Sequence, residues 1–332
     1  MILNPAIIAL IVGSLLTSFI SLYSSMIGAR ILKHWNLKSG SELQLALEHK
    51  TYLVSTVLAY VMGFQVVLLF LFVYTADRIH PLFIGAMCAA GSLNANSFGY
   101  LALVVKILSV FLSGIWLILN YTDHRGYDYP LIRLKYKFLF FVTAALLADS
   151  ALEVSYFLDL EPDVITSCCG SLFSEDAPTI TGTLTSMYPP AAMAFFFLTV
   201  VVTTRTGLHF LITGNGWKLF SYLSSLLFVV GIVSLISFIS VYYYELPTHH
   251  CPFCVLQKEY GYIGYPLYLF LLGSGITGTA VRVIGRHRQT PSLQDSIPAL
   301  QRRLCIIAMA GFVLFTGISV YPMIMSDFIL LS

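Results

Sequence analysis

The sequence predicts an all-α fold, a polytopic transmembrane helical bundle of about eight spans with both termini extracytoplasmic. The composition, the spacing of apolar segments and the placement of basic residues all support this prediction. The chain is 58% hydrophobic and 10% charged, whereas an average soluble domain is roughly 25% charged. A soluble core cannot bury that much apolar surface, so we expect membrane lipid to surround most of the chain.

Apolar windows of about 20 residues, long enough to cross ~30 Å of hydrocarbon, recur along the chain. They are predicted near residues 5–29, 52–74, 99–121, 138–157, 189–211, 219–242, 260–281 and 304–325. The segments between them are too short to fold as independent domains. We therefore predict a single transmembrane domain over residues 1–332.

The basic residues set the predicted orientation. Of the 18 Lys and Arg residues, all but three lie in alternate loops; the opposite loops hold Arg78 and Lys258, and Lys106 lies inside a span. The positive-inside rule then places the N-terminus outside, and an even number of spans returns the C-terminus to that side. We expect the N-terminal apolar run to be a first span because its first positive charge follows it. The predicted location is a prokaryotic plasma (inner) membrane.

The cysteines are concentrated on one predicted side of the membrane. Five of the six lie in outer loops: Cys88, Cys168, Cys169, Cys251 and Cys254. Outside the cytosol, disulfides form and persist. The sixth, Cys305, lies at an inner helix end, where packing is its expected role. The pairs in outer loops are open to two interpretations, structural disulfides or a redox-active centre.

The strongest local motif is Cys251-Pro252-Phe253-Cys254, directly before the seventh predicted span. Proline is favoured at the first helical position, so Cys251 is predicted to be the N-cap and Cys254 to lie in the first turn. A helix N-terminus stabilises a thiolate, and dithiol redox centres have this arrangement. No haem is expected, because Val255 follows Cys254 where a c-type haem site requires histidine.

The run 251–258 resembles the quinone-coupled membrane proteins of the DsbB and vitamin K epoxide reductase type, in which a Cys-x-x-Cys opens a transmembrane helix. The resemblance covers about ten residues and the order of the cysteines. It implies a thiol–disulfide oxidoreductase that passes electrons between an extracytoplasmic thiol protein and a membrane quinone. Gln257 and Lys258 match positions near the quinone, and Cys168 and Cys169 match the upstream shuttle pair. The direction of electron flow stays open.

The motif also suggests a role for each thiol. Cys251, as the helix cap, is expected to be the more exposed and to react with the partner protein or with the Cys168/Cys169 pair. Cys254, one turn further, is expected to face the quinone, with Lys258 stabilising negative charge on it. Cys88 makes the number of outer cysteines odd, which indicates a resolving thiol, an inter-loop bond or a lone packed thiol. It lies in a stretch too short and too rich in glycine to span, predicted to be re-entrant or interfacial.

Cys168 and Cys169 lie in an acidic loop. Adjacent cysteines close only a strained ring, which is easily reduced. The acidic residues of this loop are Asp159, Glu161, Asp163, Glu175 and Asp176. They form either a solvated loop or an attractive rim for a basic electron-transfer partner or a metal cation.

Three charged residues lie inside predicted spans. Lys106 is in the third span, and Asp149 and Glu153 lie four residues apart on one face of the fourth. An isolated charge at this depth costs at least ~2.5 kcal/mol, so pairing across the two spans is expected. The pairing is compatible with a structural ion pair, a proton route or a polar pocket for a quinone head.

Two other function classes remain open. Soft and borderline ligands on the outer face, among them His80, His249, His250, Cys168 and Cys169, suit an extracytoplasmic-facing metal-handling membrane protein. Alternatively, the chain is a non-catalytic membrane subunit of an electron-transfer complex, with stabilising disulfides. Neither alternative, nor the oxidoreductase hypothesis, involves nucleic acid.

Overall fold

A computed structural model describes residues 3–36, 39–162, 164–166 and 188–326 of the chain. The protein is 80% helical, and eight helices of the described part are long and apolar enough to cross a membrane. The all-α prediction and the eight candidate spans are therefore confirmed, and they support an integral membrane protein. The sidedness of the termini and the identity of the membrane stay predictions.

The helices are longer at most ends than the apolar windows predicted. In chain order they are α1 (Pro5–His34), α2 (Glu42–Arg78), α3 (Ala89–Leu93), α4 (Gly99–Asp123), α5 (Ile132–Leu158), α6 (Pro189–Thr213), α7 (Trp217–Ser234), α8 (Ser240–Tyr244), α9 (Gly264–Gly285) and α10 (Ser296–Met325). A π-helical segment, Leu235–Ile239, joins α7 to α8 within one span. The added turns are more polar than the apolar windows, as expected for a helix that continues beyond a hydrocarbon layer.

Local sequence explains how α1 begins. Pro5 occupies one of the first helical positions, where a missing N–H is tolerated. The side chain of Asn4 accepts a hydrogen bond of 3.0 Å from the backbone N–H of Ala6, and this satisfies one of the unpaired donors of the first turn.

The chain divides into two compact units. The first comprises residues 1–75, 96–160 and 286–299 and holds α1, α4, α5 and most of α2. Within it α5 packs against both α1 and α4. Small hydroxyl side chains join α1 to α5: the Ser18 and Ser150 oxygens are 2.5 Å apart, and those of Ser21 and Ser25 lie 2.6 and 2.7 Å from Thr143 Oγ1. Small polar residues allow such close helix packing in membranes.

The second unit comprises residues 76–95, 161–285 and 300–332. Within it α7 packs against α6 and α9. A Cβ at Gly278 of α9 would lie 2.4 Å from the Ser224 side chain of α7, so this approach requires glycine. Buried aromatic rings, including those of Phe196, Phe238 and Phe315, fill the core. The loops of this unit carry Cys88, Cys251 and Cys254.

Candidate functional site

Cys88 is held in a loop that the surrounding backbone fixes. It is extended at the N-cap of the short helix α3. Just before it, Ile84 exchanges backbone hydrogen bonds of 3.1 and 2.9 Å with Val164 and Thr166. Gly85 has a φ of +87°, and a Cβ there would lie 2.8 Å from the Thr166 carbonyl oxygen. Only glycine fits this turn, which positions Cys88 inside the second unit.

The Cys-x-x-Cys motif does not open a transmembrane helix, so that prediction is wrong. Residues Cys254–Leu256 form one 3₁₀ turn and residues Lys258–Tyr260 a second, and α9 begins only at Gly264. The physical reason is the backbone between them, because Gln257 is extended and Tyr262 has a φ of 58°. Cys251 is therefore not a helix cap, and the N-terminus of this span does not stabilise its thiolate.

The loops bring three thiols into one buried cluster, here called the cysteine cluster: Cys88, Cys251 and Cys254. All three sulfur atoms lie within 4.8 Å of one another. The Sγ atoms of Cys88 and Cys251 are 3.5 Å apart. A disulfide requires about 2.05 Å, so the two sulfurs are in contact but are not bonded. The sequence singled out all three residues and left an inter-loop bond at Cys88 open, but it did not assign the partner of Cys88.

The expected order of exposure within the motif is also wrong. Cys251 is 0% exposed and Cys254 is 5% exposed. The Nε2 atom of His249 lies 3.4 Å from Cys254 Sγ, and His249 itself is only partly buried. Cys254 is thus the thiol next to a group that reaches the surface, whereas Cys251 lies behind it beside Cys88.

Tyrosine hydroxyls hold the motif in place. The Tyr244 hydroxyl donates to the Cys251 carbonyl oxygen at 2.6 Å and accepts from the Val255 N–H at 3.0 Å. The Tyr268 hydroxyl donates to the Pro252 carbonyl oxygen. These contacts span the four-residue motif from both sides and restrict the positions of its thiols. The sequence offered one signal for them, the run of three tyrosines at 242–244.

Aromatic rings complete the surroundings of Cys254. The rings of Tyr244 and His249 meet edge to face at 4.4 Å, and those of Tyr244 and Tyr260 at 4.9 Å. Burial, and then the charges of Cys254 and Glu259, raise the pKa of Tyr260. Its hydroxyl therefore stays protonated and remains a hydrogen-bond donor near the cluster.

Gln257 links the two loops that carry the cysteines. Its Nε2 atom donates to Asp77 Oδ1 at 3.0 Å and to the Met87 carbonyl oxygen at 2.9 Å. Met87 precedes Cys88, so this side chain positions the Cys88 loop against the motif. Sequence analysis missed this role. Lys258 is exposed on the second 3₁₀ turn; contact of either residue with a quinone stays a prediction.

The three histidines proposed as metal ligands are in different places. His249 lies at Cys254, as described. The Nδ1 atom of His250 is 3.1 Å from the carbonyl oxygens of both Ile236 and Ser237. These belong to the π-helical segment, a feature frequent at functional sites. The His80 Nδ1 atom contacts the Asp77 carbonyl oxygen. Among the described residues, the one group with metal-ligand spacing is the cysteine cluster.

The charges predicted to pair inside the bilayer do so within the first unit. Lys106 Nζ is 2.9 Å from Asp149 Oδ2 and 2.6 Å from Glu153 Oε2. Ser14 Oγ donates to Glu153 Oε1 at 3.0 Å. All three charged side chains are buried. We call this group the charged triad. Its assignment to a quinone head stays a prediction.

Sequence analysis missed a second buried pair, between Asp123 and Lys135. Their Oδ2 and Nζ atoms are 2.7 Å apart and both side chains are fully buried. Lys135 was assigned to an inner loop, whereas it lies in the first turns of α5. The available signal was the acidic Asp123 at the end of the third span and the basic residues at the start of the fourth, namely Arg133, Lys135 and Lys137.

Cys168 and Cys169 lie outside the described residues, as do Asp163, Glu175 and Asp176. Cys305, expected to be a packing residue, is buried in α10 near the Gly207 carbonyl oxygen and Met309.

Comparison of the chain with protein-family models, with curated proteins and with solved structures gives no match.

Proposed function

We propose that the chain is a membrane thiol–disulfide oxidoreductase whose redox centre is the cysteine cluster. The observation that carries this proposal is the convergence of three buried sulfur atoms within 4.8 Å. Cys88 and Cys251 are 163 residues apart in sequence and 3.5 Å apart at their sulfurs. Thiol–disulfide exchange requires a thiolate to approach a disulfide sulfur directly, and three neighbouring thiols make such exchange possible inside one centre.

The steps of oxidation of a partner dithiol balance as follows. In the oxidised centre a disulfide joins Cys251 to Cys254. A partner thiolate attacks the Cys254 sulfur, forms a mixed disulfide and releases Cys251 as a thiolate. The second partner thiolate then attacks the partner's own sulfur in that mixed disulfide. A disulfide forms within the partner, and Cys254 leaves as a thiolate. The partner has lost two electrons and two protons in this scheme, and the centre has become a dithiol.

Cys88 extends this centre. Its thiolate can attack Cys251 in the disulfide between Cys251 and Cys254, which moves the disulfide to the Cys88–Cys251 pair without net oxidation. In the dithiol state left by the partner reaction, a disulfide would re-form between Cys251 and Cys254 as a quinone accepted the two electrons and two protons and left as a quinol. His249, beside Cys254, is the base we assign to its thiol proton. Cys168 and Cys169, two and three residues after Thr166 in the sequence, remain the proposed shuttle pair.

The direct test is quinone reduction by purified protein in lipid nanodiscs, with a small dithiol as electron donor and a soluble quinone as acceptor. Cys88→Ser, Cys251→Ser and Cys254→Ser are expected to stop or slow quinol formation. Cys305→Ser is the matched control, because Cys305 is buried in the same unit but outside the cluster. Full activity in all three cluster variants would show that the cluster is structural.

A trapping experiment assigns the partner-facing thiol. With glutathione disulfide as the probe, the double variant Cys88→Ser, Cys251→Ser is expected to accumulate a stable mixed disulfide at Cys254, since both neighbouring thiols within 4.8 Å are missing. In Cys254→Ser, Cys251 is expected to close onto Cys88, 3.5 Å away, and to leave no stable adduct. The opposite pattern would restore the assignment predicted from the sequence, with Cys251 facing the partner.

Soft-metal handling is the second candidate, and the same geometry favours it. Three thiolates with a nearby imidazole form a ligand set that suits Zn²⁺ or Cu(I). Metal analysis of protein purified under reducing conditions separates the two candidates. A stoichiometric metal that is lost in Cys88→Ser and Cys251→Ser would favour metal handling, whereas metal-free protein with a titratable disulfide supports the oxidoreductase.

A further inference from the structure

A column of buried polar side chains follows one face of α4 in the first unit. Its members are spaced three or four residues apart, which places them on one side of a helix. They are Lys106, Ser109, Ser113, Trp116, Asn120 and Asp123, and each is buried. At 1.5 Å per residue the column is ~25 Å long, most of the ~30 Å thickness of the hydrocarbon layer.

The middle of this column lacks hydrogen-bond partners among the described residues. The atoms concerned are Ser109 Oγ, Ser113 Oγ, Trp116 Nε1 and Asn120 Oδ1. Serine hydroxyls within a helix commonly bond back to a carbonyl one turn earlier, as Ser225 does at 3.0 Å in the second unit. Ser109 and Ser113 make no such bond, although both are fully buried.

Gln65 of α2 is a further polar group in the same unit. It is fully buried, and neither its Oε1 nor its Nε2 atom has a hydrogen-bond partner in the part of the chain that the structure describes. The ring of Phe72 in α2 lies 5.5 Å from Lys106 Nζ, so the two helices approach each other at that level. Gln65 precedes Phe72 by seven residues in α2, and Ser113 follows Lys106 by seven residues in α4. Because consecutive spans run in opposite directions, both residues are displaced from the Phe72–Lys106 contact in the same direction.

The other polar seam of this unit behaves differently. Between α1 and α5, Ser18 bonds to Ser150, and both Ser21 and Ser25 bond to Thr143. Direct hydrogen bonds therefore pair the polar side chains between α1 and α5, whereas the α4 atoms named above have no such partners among the described residues. Buried polar groups that lack protein partners are characteristically satisfied by internal water.

Ionisable groups lie at both ends of the column. At one end, the charged triad combines one lysine with two carboxylates. Asp149 Oδ1 has no hydrogen-bond partner among the described residues. Full ionisation would leave a net negative charge there, which a proton on either carboxylate neutralises. At the other end Asp123 is balanced by Lys135, with His124 adjacent. The helices α1 and α2 contribute the uncharged Ser14 and Gln65.

We propose that the first unit contains a transmembrane proton pathway, in which internal water along the α4 column connects the charged triad to Asp123. A proton that enters at one end is matched by one that leaves at the other, so the protein undergoes no net chemical change. The pathway uses no cysteine and belongs to the first unit alone. It is therefore independent of the proposed thiol chemistry.

The test is proton flux into liposomes that contain the full-length protein and an internal pH-sensitive dye, driven by a potassium diffusion potential with valinomycin. The intact protein is expected to conduct protons faster than protein-free liposomes. Gln65→Leu and Ser113→Val, which replace polar groups with apolar ones, should abolish this excess flux because they remove polar groups from the proposed water path. Thr143→Val, in the hydrogen-bonded α1–α5 seam, is the matched control and should retain it.

Two results would overturn the proposal. One is flux through the intact protein no faster than through protein-free liposomes. The other is full flux in both Gln65→Leu and Ser113→Val when circular dichroism shows native helix content. Cys251→Ser should conduct like the unaltered protein, so a failure of the thiol hypothesis and a failure of the proton pathway give different results.

Discussion

Replacement of Lys106 tests the electrostatics of the charged triad most directly. Lys106→Met keeps the length of the side chain but removes the charge that faces both Asp149 and Glu153, at 2.9 and 2.6 Å. All three side chains are buried, so solvent does not replace the lost partner. The variant therefore leaves two buried carboxylates within reach of each other and with no cation between them.

The magnitude follows from what is left behind. Removal of one partner from a buried ion pair destabilises proteins by about 3–5 kcal/mol, because the remaining charge is uncompensated. Since two carboxylates lose their cation here, we expect Lys106→Met to reach this range at neutral pH. The loss should shrink in acid, where protons neutralise the carboxylates. The triple variant Lys106→Met, Asp149→Asn, Glu153→Gln should be much closer to the unaltered protein.

The assay is reversible unfolding in detergent micelles, followed by circular dichroism, for the single and triple variants. Lys135→Met is a matched comparison, because Lys135 is equally buried but faces one carboxylate, Asp123. We expect it to be less destabilising than Lys106→Met. The reasoning is refuted if Lys106→Met is as stable as the unaltered protein, or if the triple variant loses the sum of its three single effects.

The remaining predictions concern topology, the Cys88 loop and acid stability. Cysteines introduced at the exposed positions Ile165 and Thr248 should react with an impermeant maleimide in intact cells. A cysteine introduced at Asp295 should react only after lysis. Labelling of position 295 in intact cells would reverse the predicted orientation. Gly85→Ala should destabilise the Cys88 loop by about 1–3 kcal/mol, because φ is +87° at this position. Alkylation of Cys88 should therefore become faster, and an unchanged alkylation rate would contradict this prediction. Burial lowers the pKa of His124 below 6.5. As the pH drops through that value, His124 of the unfolded chain binds a proton before His124 of the folded chain does. The free energy of unfolding should therefore decrease over this pH range. His124→Asn should flatten this dependence in unfolding measurements between neutral and mildly acidic pH, and an unaltered profile would show that another group is responsible.

The sequence by itself was sufficient for the helices that cross the hydrocarbon layer. An apolar segment of this length can satisfy its backbone in lipid only as a helix, so composition alone predicts the span. It was also sufficient for the pairing of Lys106 with Asp149 and Glu153. A charge buried in a span needs a nearby opposite charge, and the depths along the third and fourth spans matched.

The tertiary structure alone decided how the candidate site is assembled. The motif at Cys251 was visible, but its helical start was wrong because backbone angles at Gln257 and Tyr262 form turns before α9 begins. The meeting of Cys88 with Cys251 joins segments 163 residues apart. No local pattern encodes such a distance, since it depends on how the loops pack and on side chains such as Gln257 that link them. Thiol spacing within a motif is thus a local property, whereas a three-thiol centre exists only once the second unit has folded.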